Sequence, residues 1–292
     1  MDNWIKAGQI AAEARDMGAR LVKTGASVKE ILDEIDNFII KNGAVPAFPS
    51  QISLNSTAAH FCPDDSDTTT IQENDVAKLD VGVCVDGAIG DTAVTVDVSG
   101  NHQELIDASK DALDNVIKEI HVGMPITNIG KIIQETINSH GLSPIKNLGG
   151  HGLGIYNIHS DPHIPNYDNG NDNVLKDGMM IAIEPFATDG EGMIKDSSNP
   201  TLFSLIQKKP VRLPMMREIL THIDKEYKTL PFTTRWISRR FGVAKTNFVL
   251  NKLAQEGMLE MYPPLIERKR GLVSQAEHSF VIGEKIKVTT RI

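Results

Sequence analysis

The chain has 292 residues, 40% of them hydrophobic and 23% charged, with a formal net charge of −8. This balance excludes a disordered or fibrous protein and allows one large domain or two ordinary ones. There is no apolar run of roughly 18 residues to cross a membrane, no basic-then-apolar leader in MDNWIKAGQIAAEARDMG, and 2 cysteines are no disulfide framework. A cytoplasmic protein without a membrane partner is expected, with Cys62 and Cys84 as buried free thiols in preference to catalytic nucleophiles.

The first 24 residues read as a helix, with Ile5, Ile10, Ala14 and Leu21 among its apolar positions. A second helix starts at Ser27, where S-V-K-E is a capping box, and ends at Asn42-Gly43. Residues 102–121 and 126–140 form another helical pair, and strand-like runs lie near 179–186 and 277–288. Gly25–Gly43 aligns without gaps on Gly123–Gly141 at an offset of 98, placing Val28, Ile31, Ile35 and Ile39 on Ile126, Ile129, Ile133 and Ile137. Two amphipathic helices always share a stripe, but His60 also falls within one residue of His159 at that offset. An internal duplication is expected, each half delivering a histidine to a shared cleft.

One segment differs in charge. Residues 205–270 hold 14 of the 30 Lys and Arg but only 6 of the 38 Asp and Glu. Within it, RWISRRFGVAKTNFVLNKLAQEGMLEMY reads as helix, turn at Gly242, helix and short strand, an insertion of the winged-helix kind between 1–204 and 271–292. Arg235, Arg239, Arg240, Lys245 and Lys252 raise a nucleic-acid reading. A solvated basic face on a structural insertion is the favoured alternative, and no specific DNA partner is expected.

The most strand-like segment, KLDVGVCVDGAIGDTAVTV (78–96), carries acids where packed strands are apolar. Asp86-Gly87 is a preferred type I′ dipeptide, so 85 pairs with 88, Asp80 opposes Ala93 and Asp91 opposes Gly82. Asp80 and Asp91 then share a face as diagonal neighbours, about 7 Å apart or less. Carboxylates so close repel unless a cation or proton lies between them. A divalent-metal site is one solution; two acids facing solvent on a one-sided sheet is the other.

More ligand candidates stand downstream. His151 follows a Gly-Gly pair, Glu184 ends an apolar run before Pro185, and Glu277 opens the C-terminal strand. An unpaired glutamate in an apolar run costs several kcal/mol. Asp80, Asp91, His151, Glu184 and Glu277 make a mostly oxygen set that suits two divalent ions sharing bridging carboxylates.

AFPSQISLNSTAAH (47–60), the hairpin, GGHGLGIYNIH (149–159), IAIEPFAT (181–188) and QAEHSFVI (275–282) together resemble the methionine aminopeptidase family of the pita-bread fold. The helical insertion and short N-terminus are similar to its type II branch in the archaeal form. The resemblance implies an α+β fold of helices on antiparallel sheet with pseudo-twofold symmetry. It implies Asp80 chelating one metal, His151 with Glu184 the other, and Asp91 and Glu277 bridging; cobalt, manganese, iron and zinc all suit the set. It further implies attack by metal-activated water on the first peptide bond, with Glu184 shuttling a proton, His159 and His60 binding the peptide group, and Phe48 and Ile158 lining a methionine pocket. The implied substrates are nascent polypeptide N-termini with a small second residue. Cys84 stands where relatives often carry histidine, and by parity it shares the face of Asp80. An Xaa-Pro peptidase, or a metal-free RNA- or protein-binding relative, are the alternatives. Docking of the enzyme at the ribosome through the basic insertion is an added hypothesis beside the solvated-face reading.

Overall fold

The computed structural model describes residues 1–197 and 199–292. Helix α1 (Asp2–Leu21) is followed by α2 (Val28–Lys41), which starts where expected: Ser27 caps it by accepting from the Glu30 N–H at 3.4 Å. Val28, Ile31, Leu32, Ile35 and Ile39 form its buried stripe. The second pair is α3 (Gln103–Glu119) and α4 (Ile126–Ser139), the latter burying Ile126, Ile129, Ile133 and Ile137.

The duplication extends to the backbone. Gly25 and Gly123 have φ of 84° and 85°, and Gly43 and Gly141 both have 73°. The entry to α2 is held by Gly25 N to Ile71 O and Val28 N to Thr69 O. That of α4 is held by Gly123 N to Leu175 O and Ile126 N to Asn173 O. Equivalent loops fold back on equivalent helix starts.

Each helix pair covers one antiparallel sheet. The first sheet centres on Val76–Val85, with Ala88–Asp97 on one side and Val45–Pro46 and Gln51–Leu54 on the other. Leu79, Val81, Val83 and Val85 face α1 and α2 in one apolar cluster. Helix α1 lies close because small residues meet there; a Cβ on Gly90 would fall 2.5 Å from the Gly8 nitrogen. The second sheet runs in the order Lys287–Val288, His278–Val281, Met180–Ile183, Gly149–Gly154, Asn157–Pro165, and packs on α3 and α4 through Ile164, Ile181, Ile183 and Phe280.

The sheets are stitched along one seam. Ala93 bridges to Glu277, Thr92 Oγ1 donates to the Glu277 carbonyl at 2.8 Å, and Ser279 Oγ accepts from the Asp91 N–H at 2.8 Å. Asp91 and Glu277 are thereby fixed to each other although they lie far apart in the chain.

The basic segment has its own core around α5 (Pro214–Glu226), α6 (Thr234–Phe241) and α7 (Val243–Gln255), including Met216, Ile219, Phe232, Ile237 and Val249. Its sheet takes Leu202–Leu205 as the central strand, between Phe232–Thr233 and Leu259–Tyr262. Leu265–Glu267 pairs instead with Thr57–Ala59 and Ile194–Asp196. The strands of this sheet lie within 202–262, and Arg268, Lys269 and Arg270, which the charge-based bounds of 205–270 include, lie outside it.

Arg235 is not part of a basic surface. It is fully buried, with Nη2 3.2 Å from Asp33 Oδ1 and 3.9 Å from Asp36 Oδ2, while the Arg239 guanidinium lies 2.6 Å from Asp33 Oδ2. Part of the positive charge counted in the segment is used to hold α6 against α2.

Candidate metal centre and substrate cleft

A cleft of about 390 Å³ opens where the two sheets meet, and all nine residues singled out in the sequence line it. The hairpin supplies Asp80 and Asp91, in the register that the Asp86-Gly87 turn implies: Asp80 opposite Ala93, Asp91 opposite Gly82. Asp86 and Gly87 both have positive φ, 49° and 91°, as a type I′ turn requires. His151 comes from Gly149–Gly154. His278 pairs with Ile183, so Glu184 and Glu277 flank one step of the same antiparallel ladder.

These groups converge. His151 Nε2 lies 3.7 Å from Asp91 Oδ2 and 3.9 Å from Glu184 Oε1. Asp91, His151 and Glu277 each offer a ligand atom within 4.8 Å of the others. Asp80 and Glu184 are linked by Gln275, whose amide donates to Asp80 Oδ2 at 3.4 Å and Glu184 Oε2 at 3.2 Å.

The electrostatics follow from burial. Desolvation, followed by repulsion between neighbouring carboxylates, pushes Asp91, Glu184 and Glu277 well above the ordinary range. Desolvation lifts Asp80 to about 7, opposed by the Gln275 hydrogen bond. His151 is pushed down to about 3 by burial and by His159, which keeps its imidazole neutral and free to ligate. No Lys or Arg is among the described residues lining the cleft. Asp80 Oδ1, Asp91 Oδ1 and Glu277 Oε2 are buried without hydrogen-bond partners. Orphaned carboxylate oxygens beside a neutral imidazole are the donor set of a divalent cation, and the residues fit one.

The remaining predicted residues divide between a polar wall and an apolar pocket. His60 and His159 face Tyr262, with ring centroids 5.7 and 6.0 Å away, and His159 stands 4.7 Å from His151. Burial drives His60 down to about 4, and its Nδ1 has no partner. Phe48 and Ile158 are buried in an apolar cluster with Ile89, Leu153 and Leu230. The Phe48 ring rests on the backbone of Gly82: a Cβ there would lie 2.2 Å from Phe48 Cε1.

Cys84 shares the parity of Asp80 but not its surroundings. It is buried in the Phe48 cluster, is not among the described residues lining the cleft, and has its thiol pushed up by burial. The ring over Gly82 stands between the two, so a thiol at the metal centre is not what this face provides. Gln51, Gln275 and Tyr262 are residues that sequence reasoning missed. Gln275 lies two residues before Glu277, the parity of a shared face; Tyr262 comes from the insertion and carries no local signal.

The chain belongs to metallopeptidase family M24, whose model matches residues 2–204. It is 43% identical over 280 residues to the methionine aminopeptidase of Archaeoglobus fulgidus, covering 96% of this chain and 94% of that one. Among solved structures it resembles a thermophilic Arx1, with TM-score 0.87 at 16% identity over 99% of this chain and 90% of that one. It also resembles the methionine aminopeptidase of Thermotoga maritima, with TM-score 0.73 at 22% identity over 100% of this chain and 96% of that one. These two likenesses speak for the fold alone.

Proposed function

We infer that the chain is a metal-dependent methionine aminopeptidase, removing the initiator methionine when the next residue is small. The observation that carries this reading is a set of four cleft carboxylates, Asp91 and Glu277 buried and Asp80 and Glu184 half-buried, with a neutral histidine beside an apolar pocket on the same cleft. Asp80 would hold one divalent ion, His151 and Glu184 a second, and Asp91 and Glu277 would lie between them. When bound, such ions polarise a carbonyl and lower the pKa of water, supplying a nucleophile at neutral pH.

The chain's own side chains do the rest. The Phe48–Ile158 pocket takes the methionine side chain, its shape favouring an unbranched thioether with modest discrimination against Leu. His159 and His60, neutral in this setting, hydrogen-bond the scissile carbonyl and the peptide group beyond it, where charge develops. The Glu184 carboxylate, on the wall of the same cleft, is suited to carry a proton to the leaving amine. Tyr262 and Pro231, from the insertion, also line the cleft and limit room for the second residue.

No helix among the described residues is long and apolar enough to cross a membrane, and both cysteines are buried and free. We place the enzyme in the cytoplasm, acting on nascent chains. The exposed part of the basic segment, Arg240 and Lys252 included, would hold it near the ribosome.

The test is release of methionine from Met-Gly and Met-Lys peptides with and without a chelator. Chelator-sensitive cleavage of Met-Gly alone is expected; cleavage of an Xaa-Pro peptide in its place would sink the reading.

A further inference from the structure

An aminopeptidase must recognise a free terminal amine as well as a side chain, and one cleft residue is still without a partner. Gln51 lies on the strand Gln51–Leu54, its Cα opposite that of Asp80, so the two side chains leave the sheet on the same face. It is 6% exposed and lines the cleft, yet its Oε1 has no hydrogen-bond partner. A buried, unpaired amide oxygen costs about 1–3 kcal/mol, which a ligand's donor can recover.

The backbone that presents Gln51 is held on both sides. Ala47 N donates to Gly82 O at 2.9 Å, and Ser50 Oγ donates to Asp36 Oδ1 at 2.9 Å. Gln51 therefore sits on the same short stretch as Phe48, three residues along, and beside Asp80 across the ladder. A methionine whose side chain enters the Phe48 pocket carries its amine on the adjacent carbon. That carbon must lie within reach of both the pocket and the carboxylates, and Gln51 lines the same cleft beside Asp80. The other donor of the substrate, the second residue's N–H, lies toward the leaving side with His60, His159 and Tyr262.

We propose that Gln51 Oε1 accepts a hydrogen bond from the substrate's terminal amine and thereby helps select free N-termini over blocked ones. This deepens the aminopeptidase reading and rests on it. It makes Gln51 a substrate-binding residue that acts by direct contact, separate from the metal ligands.

The experiment compares methioninol with 4-(methylthio)butan-1-ol, which lacks only the amine, by calorimetric titration of the metal-loaded full chain. Wild type should prefer methioninol. In Gln51→Met, similar in size and without an acceptor oxygen, that preference should fall about tenfold or more while the affinity for the amine-free alcohol holds. Gln51→Glu, which restores acceptor oxygens, should recover the preference. Equal weakening of both ligands in Gln51→Met, or no weakening, would overturn the inference, as would loss of bound metal, which would assign the side chain to the metal centre. If wild type bound neither compound, the aminopeptidase reading itself would fail, a result distinct from the others.

Discussion

Asp80 and Asp91 occupy one face of a single hairpin, each opposite the residue two places from the other: Asp80 against Ala93, Asp91 against Gly82. Behind them Leu79, Val81 and Val83 are sealed against two helices, so neither acid can swing out without unpacking the sheet. Close, aligned and largely withdrawn from water, the pair is costly without a cation.

Asp91→Asn should lower kcat/KM for Met-Gly by more than about 100-fold, beyond the loss typical of residues that only support a ligand. The same change removes one buried charge from a repelling group, so in chelator the variant should melt higher than wild type. Full turnover, or a lower melting temperature in chelator, would contradict a metal-ligand role.

The metal-free protein should lose stability as pH rises through neutrality. Asp80 is raised from 3.8 to about 7, and Asp91, Glu184 and Glu277 are raised as well. Groups that hold protons more tightly when folded contribute fully below their unfolded pKa, near 4, and lose that contribution as pH climbs through the folded value. For Asp80 the swing is on the order of a few kcal/mol. His151, lowered to about 3, and His60, lowered to about 4, act oppositely: their contribution is complete above about 6.5 and is lost as pH falls toward those values. Melting temperature in chelator should therefore fall between about pH 6 and 8, and saturating divalent metal should abolish that fall because metal replaces the protons. A flat profile in chelator would mean that the carboxylates do not share one buried volume.

The hairpin was legible because its register is set locally. Asp86-Gly87 fixes the turn, the turn fixes the pairing, and pairing plus parity puts both acids on one face. The 98-residue repeat was legible for a similar reason, since equal helix lengths and bounding glycines are sequence-local. Gln51 and Gln275 were not, because their positions beside Asp80 and Glu184 depend on how separate strands assemble. Parity placed Cys84 on the face of Asp80 but carries no sign that Phe48 covers Gly82 between them. Charge counting misjudged Arg235, because a count does not register burial.

Gly82 is the platform for the apolar pocket. Gly82→Ala would push its new methyl group into the Phe48 ring, which must then move. A displacement of about 1 Å in a substrate-positioning wall can cost 100-fold, and a loss of that order in kcat/KM is expected with metal content unchanged. Trimming the ring in Gly82→Ala/Phe48→Leu should restore part of the activity. Wild-type kinetics in Gly82→Ala would show that Phe48 does not shape the pocket.

Arg235 should matter to folding and not to catalysis. Its guanidinium is fully buried, donates to the Pro63 carbonyl at 3.1 Å and faces Asp33 and Asp36 from α6 across to α2. Arg235→Met removes a fully buried guanidinium and strands the buried Asp36 carboxylate, and should destabilise by about 3–5 kcal/mol. Arg239→Ala, which breaks a half-exposed pair to Asp33, should cost about 1 kcal/mol or less. Equal effects of the two in denaturant melts would refute the buried role.

Docking at the ribosome therefore has to be tested with charges that remain at the surface. Arg240 and Lys252 are exposed, whereas Lys245 is committed to Glu218 at 2.6 Å and Arg235 is buried. Reversal of Arg240 and Lys252 to Glu turns two positive charges into two negative ones while leaving the α6–α2 pairs intact. Electrostatic attachment to a polyanion weakens steeply as such contacts are removed and as salt is raised. Co-sedimentation with ribosomes at low salt should fall sharply in the double variant, with Met-Gly hydrolysis in free solution unchanged. Unaltered co-sedimentation, or binding insensitive to salt, would mean that the basic face is only solvated surface.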